Sequence, residues 1–213
     1  MTDFIAARWQ DILFRSYQHT SLVIQSVAVA LIIALVIAIF AAQRPRGAAL
    51  ANALSSIGLT LPSLALLGLA IPLFGIGTMP SVALVVFYAV LPILRNAIVG
   101  LHTVDPTIIE SARGQGMSKA AILFRIRLPL AWPIIMTGIR VATQMSMGVA
   151  AIAAYALGPG LGGYIYSGLS QIGGTNALNY TLVGTLGIVV IALIVDAILA
   201  GLQKLTTPKG ISA

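Results

Sequence analysis

Several stretches of this chain are apolar over the length that a helix needs to cross a lipid bilayer, and this feature restricts the possible folds more than any other. The first stretch, SLVIQSVAVALIIALVIAIFAA, runs from Ser21 to Ala42 and contains no charged residue. A helix needs roughly 20 such residues to cross the hydrocarbon core. The stretch does not alternate between apolar and polar residues, as the strands of a membrane barrel do. The pattern therefore predicts membrane-spanning helices.

The composition agrees with a protein that lies mostly in lipid. Of the 213 residues, 59% are hydrophobic and 8% are charged, whereas soluble domains carry about 25% charged residues. The chain has no cysteine, which excludes disulfides, thiolate metal sites and cysteine nucleophiles. It also has neither an HExxH motif nor a GxSG nucleophile. We expect a single-domain, all-α, polytopic membrane protein that is not an enzyme and binds no cofactor or metal.

Five spans are predicted, with prolines inside the second and the third. Proline removes a backbone donor and clashes with the preceding turn, so we expect kinks at Pro62, Pro72 and Pro92. Residues 1–20 form either a helix that lies in the membrane interface or an extension of the first span. Residues 204–213 are predicted to be a tail. The predicted spans are 21–42, 50–74, 80–101, 130–157 and 178–202.

The basic residues lie unevenly on the two sides of the predicted bundle. Five spans put the termini on opposite sides, and the side of the N-terminus holds only Arg8 and Arg15. Cytoplasmic loops carry the excess of Lys and Arg, so we expect the N-terminus outside and the C-terminus in the cytoplasm. The net charge of +7 then reflects topology within lipid and not a nucleic-acid partner. The eight basic residues of the inner side are Arg44, Arg46, Arg113, Lys119, Arg125, Arg127, Lys204 and Lys209.

The polar loop 102–129, between the third and fourth spans, is too long to be an ordinary connection. Asp105 followed by Pro106 predicts a helix start, because Asp caps free backbone donors and Pro suits the first helical position. Thr107 and Glu110 also fit a capping box, so the start of the helix stays open by two residues.

Glycines divide this loop into two predicted helical pieces. Gly114 and Gly116 are expected to end the first piece, and Ser118 is placed to cap a second piece over residues 119–124. Pro129 marks the predicted entry into the fourth span. Such an element is too polar to insert and too ordered to be a tether. It indicates either a docking element for a soluble partner or an interfacial linker.

The loop resembles a motif of a known family. The stretch ESARGQGMSKAAILFRIRLP follows the pattern Glu-Ala-Ala, three residues, Gly, nine residues, Ile-x-Leu-Pro that marks the permease subunits of bacterial ABC importers. The spacing matches throughout, and the one departure is serine where the second position is usually alanine. The matching residues are Glu110, Ser111, Ala112, Gly116, Ile126, Leu128 and Pro129.

The resemblance implies a mechanism and a set of partners. In this family the loop is a coupling helix that sits in a groove of a cytoplasmic ATP-binding cassette subunit, and a substrate-binding protein docks on the outer face. It implies the type I permease fold over residues 21–203, in the bacterial inner membrane, with ATP hydrolysis on the separate subunit. A second permease chain, identical or similar, would complete the pathway.

A narrower resemblance concerns the cargo. The stretches LPSLALLGLAIPLFGIG and LPILRNAIVGL are similar to osmoprotectant permeases, which handle glycine betaine, choline, carnitine and related quaternary ammonium compounds. The chain departs from that pattern at Tyr155 and Pro159, which leaves the exact substrate open. The alternatives are an ABC permease for an amino acid or another small cation, and a self-sufficient secondary transporter or channel.

Two charges lie deep in the predicted spans. Arg140 and Asp196 come at similar depths in the fourth and fifth spans, and an unpaired charge in lipid is costly, so we expect an ion pair. Whether the pair serves structure or substrate stays open. Polar and aromatic residues that line the pathway, or join helices by hydrogen bonds, are expected at Tyr88, Asn96, Gln144, Ser146 and Tyr155.

Overall fold

The computed structural model describes residues 1–207, so the predicted tail lies largely outside the described residues, as does Lys209. Within them the chain is helical almost throughout, and we number nine α-helices in chain order. These are α1 (Thr2–Ala41), α2 (Pro45–Thr60), α3 (Ser63–Phe74), α4 (Thr78–His102), α5 (Pro106–Gly114), α6 (Lys119–Ile122), α7 (Leu128–Ile152), α8 (Gly162–Ser170) and α9 (Ala177–Thr206).

The first helix includes almost the whole N-terminal segment. Residues 1–20 do not form a separate element, because α1 continues without a break for 40 residues. At about 1.5 Å per residue this helix is roughly twice as long as the hydrocarbon core is thick. Its N-terminal half therefore extends the first span and reaches the loops at one end of the bundle.

The second predicted span, 50–74, is not one kinked helix. It is divided into α2 and α3, whose axes meet at 96°. Pro62 causes the division, because a residue before proline is driven out of the helical region, and Leu61 has an extended backbone with ψ of 133°. Pro72 and Pro92, by contrast, lie within α3 and α4. Across residues 1–207, four other helices or continuous helical stretches are long and apolar enough to cross a membrane.

The continuous helical stretch that contains the fourth predicted span begins before residue 130, at Lys119. Helix α6 runs through a single π-helical turn, Leu123–Arg127, directly into α7, and a 3-10 turn, Ala153–Ala156, follows. Pro129 therefore does not mark a break. In the wider turn the Leu128 N–H donates to the Leu123 carbonyl. The helix therefore continues through Pro129, although proline has no backbone N–H to donate.

The core of the bundle is the packing of α4 against α7, which is the most extensive contact between any two helices of the described part of the chain. Gly138 on α7 allows this close approach. A Cβ placed there would lie 2.6 Å from the Asn96 Cβ and 3.1 Å from the Pro92 carbonyl oxygen. Around this contact the buried residues are small or branched, including Ala97, Ala131 and Ile135.

Replacing Gly138 by alanine is expected to destabilise the bundle by about 1–3 kcal/mol, because the added methyl has no room. The matched control is Gly148→Ala on the same helix, where a Cβ meets nothing within 4 Å. There the better helix former stabilises by up to about 1 kcal/mol. Thermal unfolding of both variants in one detergent measures the difference. Equal melting temperatures would contradict the close α4–α7 packing.

Candidate functional site

Helix α5 begins where Asp105 caps it. The backbone N–H and the hydroxyl of Thr107 both donate to Asp105 Oδ1, each at 2.8 Å. These hydrogen bonds lower the pKa of the Asp105 carboxyl below its usual range. The capping carboxylate is therefore charged at neutral pH, and its negative charge interacts favourably with the positive end of the helix dipole. Of the two predicted starts, the structure has the one at Asp105.

The end of α5 is a Schellman motif with Gly116 in the left-handed position. The N–H of Gly116 donates to Arg113 O at 2.9 Å, and the N–H of Met117 donates to Ala112 O at 3.1 Å. The φ of Gly116 is +79°, which glycine adopts without a Cβ penalty. Gly114 is simply the last residue of the helix. The sharp turn thus depends on one of the two glycines that the sequence singled out.

The second limb of the loop begins at Ser118, whose hydroxyl accepts from the Ala121 N–H at 3.2 Å. Helix α6 is a single turn, shorter than the predicted 119–124, because the π-helical turn takes over at Leu123. Ile122 is buried, whereas Phe124 is 65% exposed. The second limb is therefore anchored through Ile122 and presents an aromatic side chain outward.

Some motif residues are buried and anchor the loop, whereas others are exposed to solvent. Ala112 is buried, and Glu110 and Ser111 are exposed on α5. The later motif residues, Ile126, Leu128 and Pro129, are half-buried. Between the two limbs lies an open groove of about 300 Å³, whose lining includes Ser111, Ala112 and Ile126. The loop is thus an ordered element that exposes polar side chains on its outer side.

The structure brings Arg140 and Asp196 into contact, as the deep charges require. Arg140 Nε donates to Asp196 Oδ1 and Nη2 donates to Oδ2, both at 2.9 Å. Gln203 extends the group, because its Oε1 accepts from Arg140 Nη1 at 3.3 Å while its Nε2 donates to Pro133 O at 3.1 Å. This bidentate network joins α7 to α9. The sequence did not indicate the part of Gln203.

The five residues predicted for the pathway do not form one group. Tyr88 is buried and its hydroxyl donates to the Leu61 carbonyl. Asn96 Nδ2 donates to Pro92 O at 2.8 Å, and Ser146 is buried. Gln144 is exposed, and Tyr155 is 50% exposed with its ring edge-on to Tyr166. The bond of Tyr88 reaches a residue between α2 and α3, whereas that of Asn96 stays within α4. A pathway role for any of the five remains a prediction.

A cluster at the opposite end of the bundle from the polar loop was missing from the sequence-based expectations. The Tyr164 hydroxyl donates to Asp11 Oδ2 at 2.7 Å, and Asp11 also pairs with Arg15 at 3.0 Å. Burial of Tyr164, with the bond to Asp11, raises the pKa of its phenol above the usual range. The spacing of Asp11 and Arg15 signals their pairing. No sequence signal connects them to Tyr164, which lies 153 residues from Asp11.

Gly116→Val is expected to loosen the turn between α5 and α6, because a branched residue in the left-handed region costs about 1–2 kcal/mol. Gly116→Asn is the control, since asparagine visits that region more readily. Space is not the cause, because a Cβ at this position meets nothing within 4 Å. Hydrogen exchange of the amides at 116 and 117 should quicken in the valine variant. Equal exchange in the two variants would contradict the assignment.

Asp196→Asn should destabilise the protein by about 3 kcal/mol, because Arg140 would keep a charge within the membrane with no carboxylate to pair with. The reversed pair Arg140→Asp with Asp196→Arg should recover much of that loss if pairing alone is needed. Thermal unfolding and expression level in the membrane measure both. A reversed pair that is less stable than either single variant would show that the orientation of the pair matters.

The sequence matches a family model and several known proteins. The family model described as "binding-protein-dependent transport system inner membrane component" matches residues 8–207. The choline transport system permease protein OpuBB of Bacillus subtilis is 33% identical over 210 residues, 99% of this chain and 95% of the relative. The osmoprotectant import permease protein OsmW of Salmonella typhimurium is 37% identical over 201 residues, 92% of each chain.

A further curated relative and one solved structure extend this picture. The glycine betaine/carnitine/choline transport system permease protein OpuCB of B. subtilis is 34% identical over 211 residues, 99% of this chain and 95% of the relative. A chain of the MetNI methionine ABC transporter, in an inward-facing conformation, superposes with a TM-score of 0.79 at 20% identity. That match covers 92% of this chain and 96% of the other, and it shows the shared fold.

These matches span nearly the whole chain, and they agree with the all-α bundle and with the loop that follows α4. The sequence-based expectation of an ABC importer permease is confirmed. The chain belongs to the family of binding-protein-dependent transport system inner membrane components, the membrane permeases of ABC importers.

Proposed function

We propose that this chain imports a small quaternary ammonium osmoprotectant, and that its 102–129 loop transmits the work of a separate ATP-binding subunit. The observation that carries the docking role is the rigid form of α5. This helix is capped at Asp105, closed by a Schellman turn at Gly116, and shows Glu110 and Ser111 to the solution. These features give α5 a fixed shape and an exposed polar face, which suit a helix that docks on a soluble partner.

The assignment of the cargo rests on the curated relatives. Those at 33–37% identity are named for choline, for glycine betaine, carnitine and choline, or for osmoprotectants in general. The methionine transporter shares the fold at 20% identity, which does not favour an amino acid here. A quaternary ammonium ion carries a fixed positive charge and no hydrogen-bond donor on nitrogen, so aromatic faces suit it. The exposed pair Tyr155 and Tyr166 offers such faces.

The orientation and the partners complete the proposal. The excess of basic residues supports a cytoplasmic position for the 102–129 loop and an outer position for the cluster around Tyr164. The family's description names a binding protein, and the outer face holds its docking surface. A second permease chain, the same or similar, contributes the other half of the pathway. ATP hydrolysis takes place on the cytoplasmic subunit.

Isolation of the tagged protein in mild detergent, followed by mass spectrometry, is the direct test of the partners. We expect an ATP-binding subunit to accompany the chain. Gly116→Trp should leave insertion intact but abolish this association or reduce ATP-driven uptake of glycine betaine and choline to background. The control is Gly201→Trp on α9, where a Cβ also meets nothing within 4 Å.

Two results would count against the proposal. Unchanged uptake by Gly116→Trp would remove the docking role of the loop. A chain that is repeatedly isolated intact and alone, and that carries the substrate without ATP, would instead favour a self-sufficient transporter. Uptake of amino acids in place of betaine or choline would overturn the cargo and leave the coupling role in place.

A further inference from the structure

One side-chain contact joins the two ends of the polar loop. Arg127, in the π-helical turn, donates from Nη2 to the Leu101 carbonyl oxygen at 2.9 Å, across 26 residues of chain. Within residues 1–207 no other side-chain hydrogen bond connects α4 to the limb that leads into α7. The family motif leaves the position between Ile126 and Leu128 unspecified, so the resemblance assigns Arg127 no role.

The acceptor is one that the helix itself leaves free. The last carbonyls of a helix have no donor within it, and Leu101 lies in the final turn of α4, which ends at His102. Thr103 satisfies its neighbour, since its hydroxyl donates to Gly100 O at 2.9 Å. Arg127 thus caps the C-terminus of α4, where a cation also favours the negative end of the helix dipole.

The donor comes from a turn that is itself irregular. π-Helical turns often lie at functional positions in helices, and this one separates α6 from α7. The Nε atom of the same guanidinium is buried and has no partner within the described residues. Burying an unpaired donor costs free energy, so the observed arrangement leaves part of the bonding capacity of Arg127 unused.

We propose that Arg127 is the positioning residue that makes the packed pair of α4 and α7 follow the movement of the loop. The inference rests on the proposed docking of α5 on an ATP-binding subunit. A pull on α5 reaches α4 through the short 103–105 link and reaches α7, which packs against α4, through α6 and the π-helical turn. The bond from Arg127 to Leu101 fastens that turn to the end of α4. Without it, α5 and α6 can move against the packed pair of α4 and α7, and ATP is hydrolysed without transport.

The experiment compares Arg127→Met with Arg127→Lys in the complete reconstituted importer. Methionine keeps an apolar stem but donates nothing, whereas lysine keeps a charged donor. The matched control is Arg46→Met, an exposed arginine at the start of α2 on the same side. We expect Arg127→Met to assemble and to raise the ATP hydrolysed per betaine imported by about tenfold, the range set by one charge-assisted hydrogen bond. Arg127→Lys should recover most of the loss.

A second measurement does not depend on transport. Hydrogen exchange of residues 106–127 in the isolated chain should quicken in Arg127→Met and stay unchanged in Arg46→Met. If the wild-type importer showed no ATP-driven uptake, the proposed function would fail, and the exchange result would still judge the contact.

Several outcomes would overturn the inference. A wild-type ratio of ATP to substrate in Arg127→Met would do so, as would unchanged exchange, or a lysine variant as poor as the methionine variant. If Arg127→Met does not fold, Arg127→Gln, which is too short to reach Leu101 O, takes its place. Failure of both to fold would also overturn the inference, because the arginine would then serve folding alone.

Discussion

Inside a bilayer no water is available to the backbone, so every place where a helix breaks, ends or widens has to find its hydrogen-bond partners within the protein. This chain has such places at a helix break and at a helix end. The break before α3 frees the Leu61 carbonyl, and the buried Tyr88 hydroxyl donates to it. The end of α4 frees Leu101 O, and Arg127 supplies the donor. The charged side chains follow the same constraint, since Arg140 and Asp196 satisfy one another between α7 and α9.

The bundle and the loop obtain their rigidity in different ways. Within the membrane, the close packing at Gly138 makes α4 and α7 a unit that is shaped by small residues. At its proposed cytoplasmic end, α5 obtains its rigidity from local devices, namely the cap at Asp105 and the left-handed glycine at 116. A rigid helix between two packed spans can carry a displacement to both of them, whereas a flexible segment of the same length would absorb it.

Much of the loop could be predicted from the sequence because its signals are local. A capping aspartate before proline, a glycine in the left-handed position and a capping Ser118 each act within a few residues, and each is present in the structure. The features that escaped prediction depend on residues far apart. The 96° angle between α2 and α3 is larger than the kink that Pro62 alone signals. The contact of Arg127 with Leu101 and that of Tyr164 with Asp11 exist only once the helices are assembled. Arg140 and Asp196 are the exception, because the cost of a lone charge in lipid restricts the possible partners.

If the loop couples ATP hydrolysis to import, α5 lies against an ATP-binding subunit during transport, and cross-linking detects that contact. The chain has no cysteine, so Ser111→Cys places a single thiol on the exposed face of α5, and Ser170→Cys places one at the exposed end of α8. In membranes that transport betaine, we expect a short thiol-to-amine reagent to cross-link the thiol at position 111 to the ATP-binding subunit. The thiol at position 170 should give no cross-link to that subunit. If position 111 gave no cross-link in membranes that transport betaine, or if position 170 gave the cross-link instead, α5 would not be the helix that contacts the ATP-binding subunit.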